Sequence, residues 1–430
     1  MGVTAVSVMA QVSKTLSPYS QFGLGVLSDQ SQSAGRGMGG LGLGLRDGKA
    51  VNMLNPASYS AVDSLTMIFD MGVSGQITNF KEGGKRLNRK TADFDYVTAL
   101  FRVHRNLGVS FGIVPYSNIG YSYTNSSPSE DNPNLTLTSS YSGSGGLSQA
   151  YIGVGYEVLK GLSVGLNASY LWGEFSKSVV NASNQSYARV VTKTYSASIN
   201  SYKLDFGAQY QRKLNKDKVL TLGATLGVGH KLGADAMLTS ITSETLSNTS
   251  SPTNDSVPDA FSIPLTVGIG ATLVHKNSLT VGVDYAMQKW GSLDYPEQKE
   301  KAYVTDEHKL GYQQVNGLLK DRHKVTLGAD WIPDPNPMSR HGLLHHVHYR
   351  IGASFATPYY NIKGQNGPRE LSVSAGFGIP IVNSWNNRST LNISAQWVNV
   401  SSSNFITENT FRINIGLTFN ERWFAKWKVD

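Results

Sequence analysis

Phe411-Arg412-Ile413-Asn414-Ile415-Gly416-Leu417-Thr418-Phe419 alternates large apolar residues with polar or small ones at every step. Successive side chains of a strand point to opposite faces, so Phe411, Ile413, Ile415, Leu417 and Phe419 form one apolar stripe. Arg412, Asn414, Gly416 and Thr418 form the other face. Such a strand suits a membrane barrel, with lipid outside and polar filler inside, but a single one fits a soluble sandwich equally well. The number of such strands decides between them.

The pattern recurs from residue 64 onward. Met67, Phe69, Met71 and Val73 carry it first, followed by Val97, Ala99, Phe101 and Val103, and then by Leu107, Val109, Phe111 and Ile113. Later runs include Leu162 to Trp172, Leu220 to Val228, Leu265 to Leu273 and Leu371 to Ile379. The total is about fourteen, each near the ~9–11 residues that a tilted spanning strand needs. The connections alternate in length. Tight turns are expected at His104-Arg105-Asn106, Lys160-Gly161, 215–218 and 275–278, and long polar loops around 76–92, 125–146, 179–198, 235–260 and 290–318. Short turns at one end and long loops at the other mark an outer-membrane barrel, with the short turns and both termini in the periplasm. An antiparallel array this long escapes exposed edges only by closing, which argues against the sandwich. Tyr170, Trp172, Tyr285, Trp290, Trp331, Trp397, Trp423 and Phe424 near strand ends are expected at the membrane interfaces.

Composition agrees. The chain has 430 residues, 44 of them Gly and 21 Tyr, and contains no apolar run long enough for a membrane-spanning helix. It has no cysteine, so disulfides, thiolate nucleophiles and Cys-zinc sites are excluded. The net charge of +8 is spread through turns such as Lys81, Lys85, Arg86, Arg89 and Lys90 rather than along one element, which argues against nucleic acid.

The first ten residues, ending Val8-Met9-Ala10, read either as half of a secretory signal or as a merely apolar start. Residues 11–60 differ from the strands in being rich in Gly, with Arg36-Gly37-Met38-Gly39-Gly40 and Asn55-Pro56-Ala57. A barrel of fourteen strands is wider than its own side chains can fill, so this segment is expected to plug it. The domain plan is therefore a signal remnant at 1–10, a plug at 11–60, an all-β transmembrane antiparallel barrel at 61–424 and a tail at 425–430.

The Arg36-Gly37-Met38-Gly39-Gly40 plug, the Asn55-Pro56 turn before the first strand, the strand count and the Phe-rich closing strand resemble the FadL-type outer-membrane transporters of long-chain fatty acids and other hydrophobic compounds. Ser17-Pro18-Tyr19-Ser20 and the 420–424 ending are similar to the Bacteroidota branch of that family. The resemblance implies passive uptake of a hydrophobic small molecule, plug rearrangement, and lateral exit into outer-membrane lipid through a kink in the third strand. The matching positions are Pro115, Tyr116, Asn118 and Ile119. A proline donates no ladder hydrogen bond, so Pro115 marks either a bulge or opening, or a strand that has already left the membrane. The resemblance also implies a second role, as a non-transporting accessory barrel of a secretion or barrel-assembly complex, with another outer-membrane protein as partner. The ending Phe411 to Phe419 further resembles the signal by which such barrels are recognised for insertion.

Three motifs carry no chemistry. Gly37 to Gly42 fits a dinucleotide fingerprint without its βαβ unit, and Gly108 to Gly112 and Gly161 to Gly165 fit a nucleophile elbow but lie in alternating strands. No enzyme, cofactor or metal is expected. His345, His346 and His348 read as a polar rim, with no acidic residue beside them in sequence. Inward-facing Asp70, Arg102, Lys203, Asp205, Asp284, Asp330, Arg350 and Arg412 are expected to pair with one another and with the plug, since buried charges persist chiefly when paired.

Overall fold

The computed structural model describes residues 16–64, 66–128, 135–185, 189–244, 249–300, 310–336, 339–381, 389–402 and 404–422. The expected signal remnant, plug residues 11–15, Trp423, Phe424 and the tail at 425–430 lie outside them.

Fourteen strands form the wall: β1 (Thr66–Glu82), β2 (Lys85–His104), β3 (Leu107–Pro128), β4 (Thr136–Leu159), β5 (Leu162–Ser183), β6 (Arg189–Lys213), β7 (Lys218–Gly227), β8 (Thr266–His275), β9 (Leu279–Gln288), β10 (Arg322–Trp331), β11 (His348–Ala356), β12 (Arg369–Ile381), β13 (Ser389–Ser401) and β14 (Thr407–Arg422). Each pairs antiparallel with the next, and β14 returns to β1 with Phe419 opposite Phe69, Ile415 opposite Val73 and Phe411 opposite Ile77. The sheet is thus a closed barrel. Phe411, Ile413, Ile415 and Phe419 are exposed outward, while Asn414, Gly416 and Thr418 between them are buried. The same apolar-out, polar-in alternation runs round the wall, for example Val281 and Val283 outside and Asp284 inside. An outward stripe this apolar on a closed barrel belongs in lipid. No helix among the described residues is long and apolar enough to cross a membrane.

One end carries the tight turns, including Lys160-Gly161, where Gly161 takes φ +87, and Lys276-Asn277, both at φ 53. At the other end the structure corrects the sequence reading. All five stretches read as long loops contain paired strands: β1 and β2 meet at Gly83-Gly84, β3 runs on to Pro128 and β4 starts at Thr136, β5 runs on to Ser183 and β6 starts at Arg189, and hairpins form at Ala236–Glu244 with Thr249–Val257 and at Tyr295–Glu300 with Leu310–Val315. Along Lys81–Lys90 both faces are exposed, and elsewhere in the extensions the buried positions are few, such as Ala197, Ala236 and Leu238, so the apolar period fades while Thr, Ser and Asn still support a ladder. Trp290 is also misplaced by the sequence. It is fully buried, its ring 4.7 Å from that of Tyr359 and tilted by 39°, instead of lying at a lipid interface.

The lumen holds two packed cores. One, near the tight-turn end, joins Met53, Tyr59 and Val62 to Ile68, Leu100 and Tyr151 of the wall. The other, near the extended end, packs Tyr19 and Leu24 against Leu171, Phe175, Ile199, Phe261, Trp290, Tyr359 and Tyr360.

Candidate functional site in the lumen and wall

Residues 16–64 touch the polar, inward face of strands all round a closed cylinder, so they lie inside it. Inward glycines make the room. A Cβ on Gly165 would meet Pro56 at 2.4 Å, on Gly223 the Leu43 carbonyl oxygen at 1.9 Å, and on Gly352 the Met38 carbonyl carbon at 2.1 Å. Backbone therefore packs on backbone. Asn55 caps the 3-10 helix Pro56–Ala61 by accepting from the Ala57 N–H, and its amide donates to the Leu43 and Ala208 carbonyls. Gly39 and Gly40 take φ +72 and +90 in the turn after the helix Ser33–Gly37, and the Gly39 N–H donates to Ser374. In the following stretch the N–H groups of Gly42, Leu43 and Gly44 converge on the Asp284 carboxylate at 2.7, 2.8 and 3.4 Å. Successive N–H groups aimed at one point form a concavity that favours an anion. Here the wall supplies it.

Among the described residues the ladder between β2 and β3 is cut short. β2 and β3 pair only from His104 with Leu107 to Val97 with Ile113. Above Ile113 the alternation stops: Val114 to Ser117 are all buried, as are Ile119 to Tyr121. The register slips between Pro115 and Ser117, leaving Tyr116 as the extra residue of a bulge against β4. A bulge bends its strand, and Pro115 has no N–H to lose. The β3 edge that turns away from β2 is covered by the N-terminal segment, which stitches to it along its length. Val26 and Leu27 pair with Asn118 and Ser117, Ser28 N–H donates to the Tyr116 carbonyl at 3.0 Å, and Gln30 donates to the Pro115 carbonyl at 2.8 Å. Further up, the Ser20 hydroxyl accepts from the Gly120 N–H.

Behind this stitch lies a cavity of ≈ 400 Å³. It reaches Phe94 and Asp95 on one lip, Pro115, Tyr116 and Asn118 on the other, and Val26 to Gln30 between. Its lining mixes apolar side chains, among them Leu27, Met53, Phe80 and Tyr360, with the charges of Asp29, Arg36, Lys203, Asp205, Arg322, Lys324, Glu370, Glu408 and Arg412. Arg36 holds Asp95 at 2.8 Å and donates to Asn414, Lys203 pairs with Asp205, and Arg322 lies 3.8 Å from Glu370. Burial works against the charge on Asp29, but Lys324, Arg36 and the Ser31 N–H together hold its carboxyl below the ordinary value. Burial likewise opposes the Arg36 charge, and Asp95 and Asp29 overcome it, keeping the guanidinium protonated.

The sequence model of the BamG family matches residues 1–430. The chain belongs to the BamG family. No curated protein matches it in sequence. Among solved structures, this BamG-family chain is similar to the Ralstonia pickettii toluene transporter TbuX, at 14% identity and TM-score 0.61 over 92% of this chain and 99% of that one. The P. putida toluene transporter TodX gives 13% and 0.62 over 93% and 100%, and a Pseudomonas aeruginosa FadL homologue gives 10% and 0.60 over 93% and 99%. At such identities the likeness is one of fold.

In this BamG-family barrel the plug residues named from sequence, Arg36, Gly37, Gly39, Gly40, Asn55 and Pro56, are all buried in the lumen. Pro115, Tyr116 and Asn118 line the cavity, and Ile119 packs in the aromatic core. The inward charges divide three ways. Asp330 accepts from Arg350 at 3.0 Å and bonds His348 at 2.9 Å, an acid brought from β10 that the sequence did not place beside the histidines. Asp70 accepts from Ser33, and Arg102 donates to Ser64 and Val62 of the N-terminal segment. Arg412 donates to Gln76 and Gln396. Asp95 was missed because strict alternation points it outward; the register slip opposite Gly72 and Val73 turns it in. No group of metal-binding residues occurs among the described residues.

Proposed function

We propose that this barrel serves as an accessory subunit of an outer-membrane secretion or barrel-assembly complex, retaining a FadL-type wall opening without an open apolar path. The observation that carries this reading is the stitch of residues 26–30 across the opening, backed by a cavity whose lining carries the ion pairs Arg36–Asp95, Lys203–Asp205 and Arg322–Glu370. Hydrocarbon moved against those ions would strip their remaining solvation, at a cost of several kcal/mol per ion. The aromatic core around Trp290 packs the N-terminal segment, through Tyr19 and Leu24, against the wall near the extended end. The match to the BamG family over the whole chain supports this reading. In this arrangement the tight turns and both termini face the periplasm, and residues 16–64 act as a fixed plug. The role needs no catalysis.

Gentle detergent extraction from native envelopes, followed by quantitative mass spectrometry, tests it. The expected result is a stoichiometric complex with at least one other outer-membrane protein. Extraction of the barrel alone, under conditions that keep other outer-membrane complexes intact, would overturn it.

A second reading is favoured by the way the cavity meets the ladder break at Pro115. The barrel would then take up a hydrophobic small molecule, such as a long-chain fatty acid or a monoaromatic like that of the toluene transporters. Plug rearrangement would release it past Pro115, Tyr116, Asn118 and Ile119 into the lipid. Under this reading Pro115→Ala slows uptake, and unchanged uptake removes the site from the mechanism.

A further inference from the structure

The ladder break leaves a second consequence on the opposite lip. β2 pairs with β1 from end to end, Lys85 opposite Glu82 to Phe101 opposite Met67, but its other edge meets β3 only from Val97 onward. Among the described residues no strand pairs with that edge along Lys85–Ala92. Eight residues at roughly 3.4 Å each present about 27 Å of strand edge, enough for a strand of ordinary length. Side chains from Lys81 to Lys90 are exposed throughout.

The charge on this hairpin is one-sided. Between residues 81 and 92 Lys81, Lys85, Arg86, Arg89 and Lys90 are met by one acid, Glu82, and none of the five is in an ion pair among the described residues. Lys81 and Arg86 stand directly opposite each other in register, an arrangement that disfavours the hairpin in isolation. A like-charged cross-strand pair on an open edge is relieved by an anionic neighbour.

We propose that the Lys85–Ala92 edge is a docking site for an extended acidic polypeptide segment, which adds to β2 as a strand and neutralises the basic hairpin. Main-chain hydrogen bonds supply the affinity and alternate acidic side chains the selectivity. The unpaired backbone favours a polypeptide over lipid headgroups, which would need the charge but not the edge. The proposal rests on the accessory-subunit reading for its biological partner, not for its chemistry.

The test uses the full-length protein in detergent and a synthetic ten-residue peptide alternating Glu and Thr. Three comparisons accompany it: a Lys/Thr peptide, the acidic peptide N-methylated on alternate amides, and anionic phospholipid vesicles. Hydrogen exchange at residues 85–92 should slow at least tenfold with the acidic peptide, weaken as salt rises, and not respond to the N-methylated or Lys/Thr peptides. Arg86→Glu with Lys90→Glu, both on exposed side chains, should weaken binding at least tenfold while the barrel stays folded. Equal binding of the N-methylated peptide would overturn strand addition. Protection by vesicles alone would reassign the charge to lipid, and no protection by any probe would mean that the lysines merely blunt the edge against aggregation. If the native complex forms but survives the double substitution, the docking site is wrong and the subunit reading stands. If no complex forms, the peptide experiment still decides the edge.

Discussion

Asp284→Ala should free the middle of the lumenal segment without opening the barrel. The Asp284 carboxylate accepts two short bonds, from the Gly42 and Leu43 N–H groups at 2.7 and 2.8 Å, and a longer one from Gly44 at 3.4 Å. Hydrogen bonds to a charged group contribute about 1.5–3 kcal/mol each, so the two short ones amount to about 3–6 kcal/mol. Removing the carboxylate recovers part of its desolvation cost but strands N–H donors that no water reaches easily. A net loss of about 3 kcal/mol is expected, which at tenfold per 1.4 kcal/mol accelerates local opening about 100-fold. Asp284→Asn keeps an acceptor and should cost about 1 kcal/mol, roughly a fivefold effect. The ladder bonds of β9 are main-chain bonds to β8 and β10, so the wall should remain closed. Hydrogen exchange of peptides covering residues 38–46 measures the release, and resistance of the barrel to unfolding in SDS reports the wall. Unchanged exchange at 42–44 in Asp284→Ala would refute the reasoning, as would loss of the barrel itself.

Gly352→Val places a Cβ 2.1 Å from the Met38 carbonyl carbon and 2.2 Å from the Gly39 nitrogen, both backbone atoms that cannot rotate away. Overpacking of this kind costs about 1–3 kcal/mol, and limited proteolysis near 36–46 should quicken while β-sheet circular dichroism stays constant. Arg36→Met leaves Asp95 buried without its ion-pair partner, 2.8 Å away in the wild type, and should cost about 3–5 kcal/mol, seen as faster exchange at 29–36. In the turn after β10, hydrogen bonds from Ser339 and His341 hold the Asp334 carboxyl below its ordinary value. A depressed carboxyl stabilises the turn above the unfolded value of about 4 and loses that effect as pH falls through the lowered one, so exchange at 339–346 should rise only in strong acid.

The fourteen spanning strands were legible because lipid imposes a period of two on one face. Where both faces are exposed, as at 81–90, nothing in the side chains distinguishes ladder from loop, and where the inner face is packed, as at Ala197 and Leu238, its partners lie far off in sequence, so the extensions were not legible. Asp284 read correctly as inward, but its partners are main-chain N–H groups of Gly42, Leu43 and Gly44, which carry no side-chain signal. Pro115 announced an irregularity in β3. That the gap is stitched by Val26 and Leu27 depends on a contact some ninety positions away in sequence, and no local pattern encodes it. Asp95 was hidden by a one-residue slip, and a slip of that kind reverses the face of each residue it passes.

We propose a wall opening that is retained but sealed. Uptake of a monoaromatic hydrocarbon into phospholipid vesicles containing the purified protein tests it most directly, with the residual permeability of empty vesicles as baseline. With the opening sealed, the wild type should give no protein-dependent uptake. A saturable, protein-dependent influx that Pro115→Ala slows would contradict it and restore transport as the function.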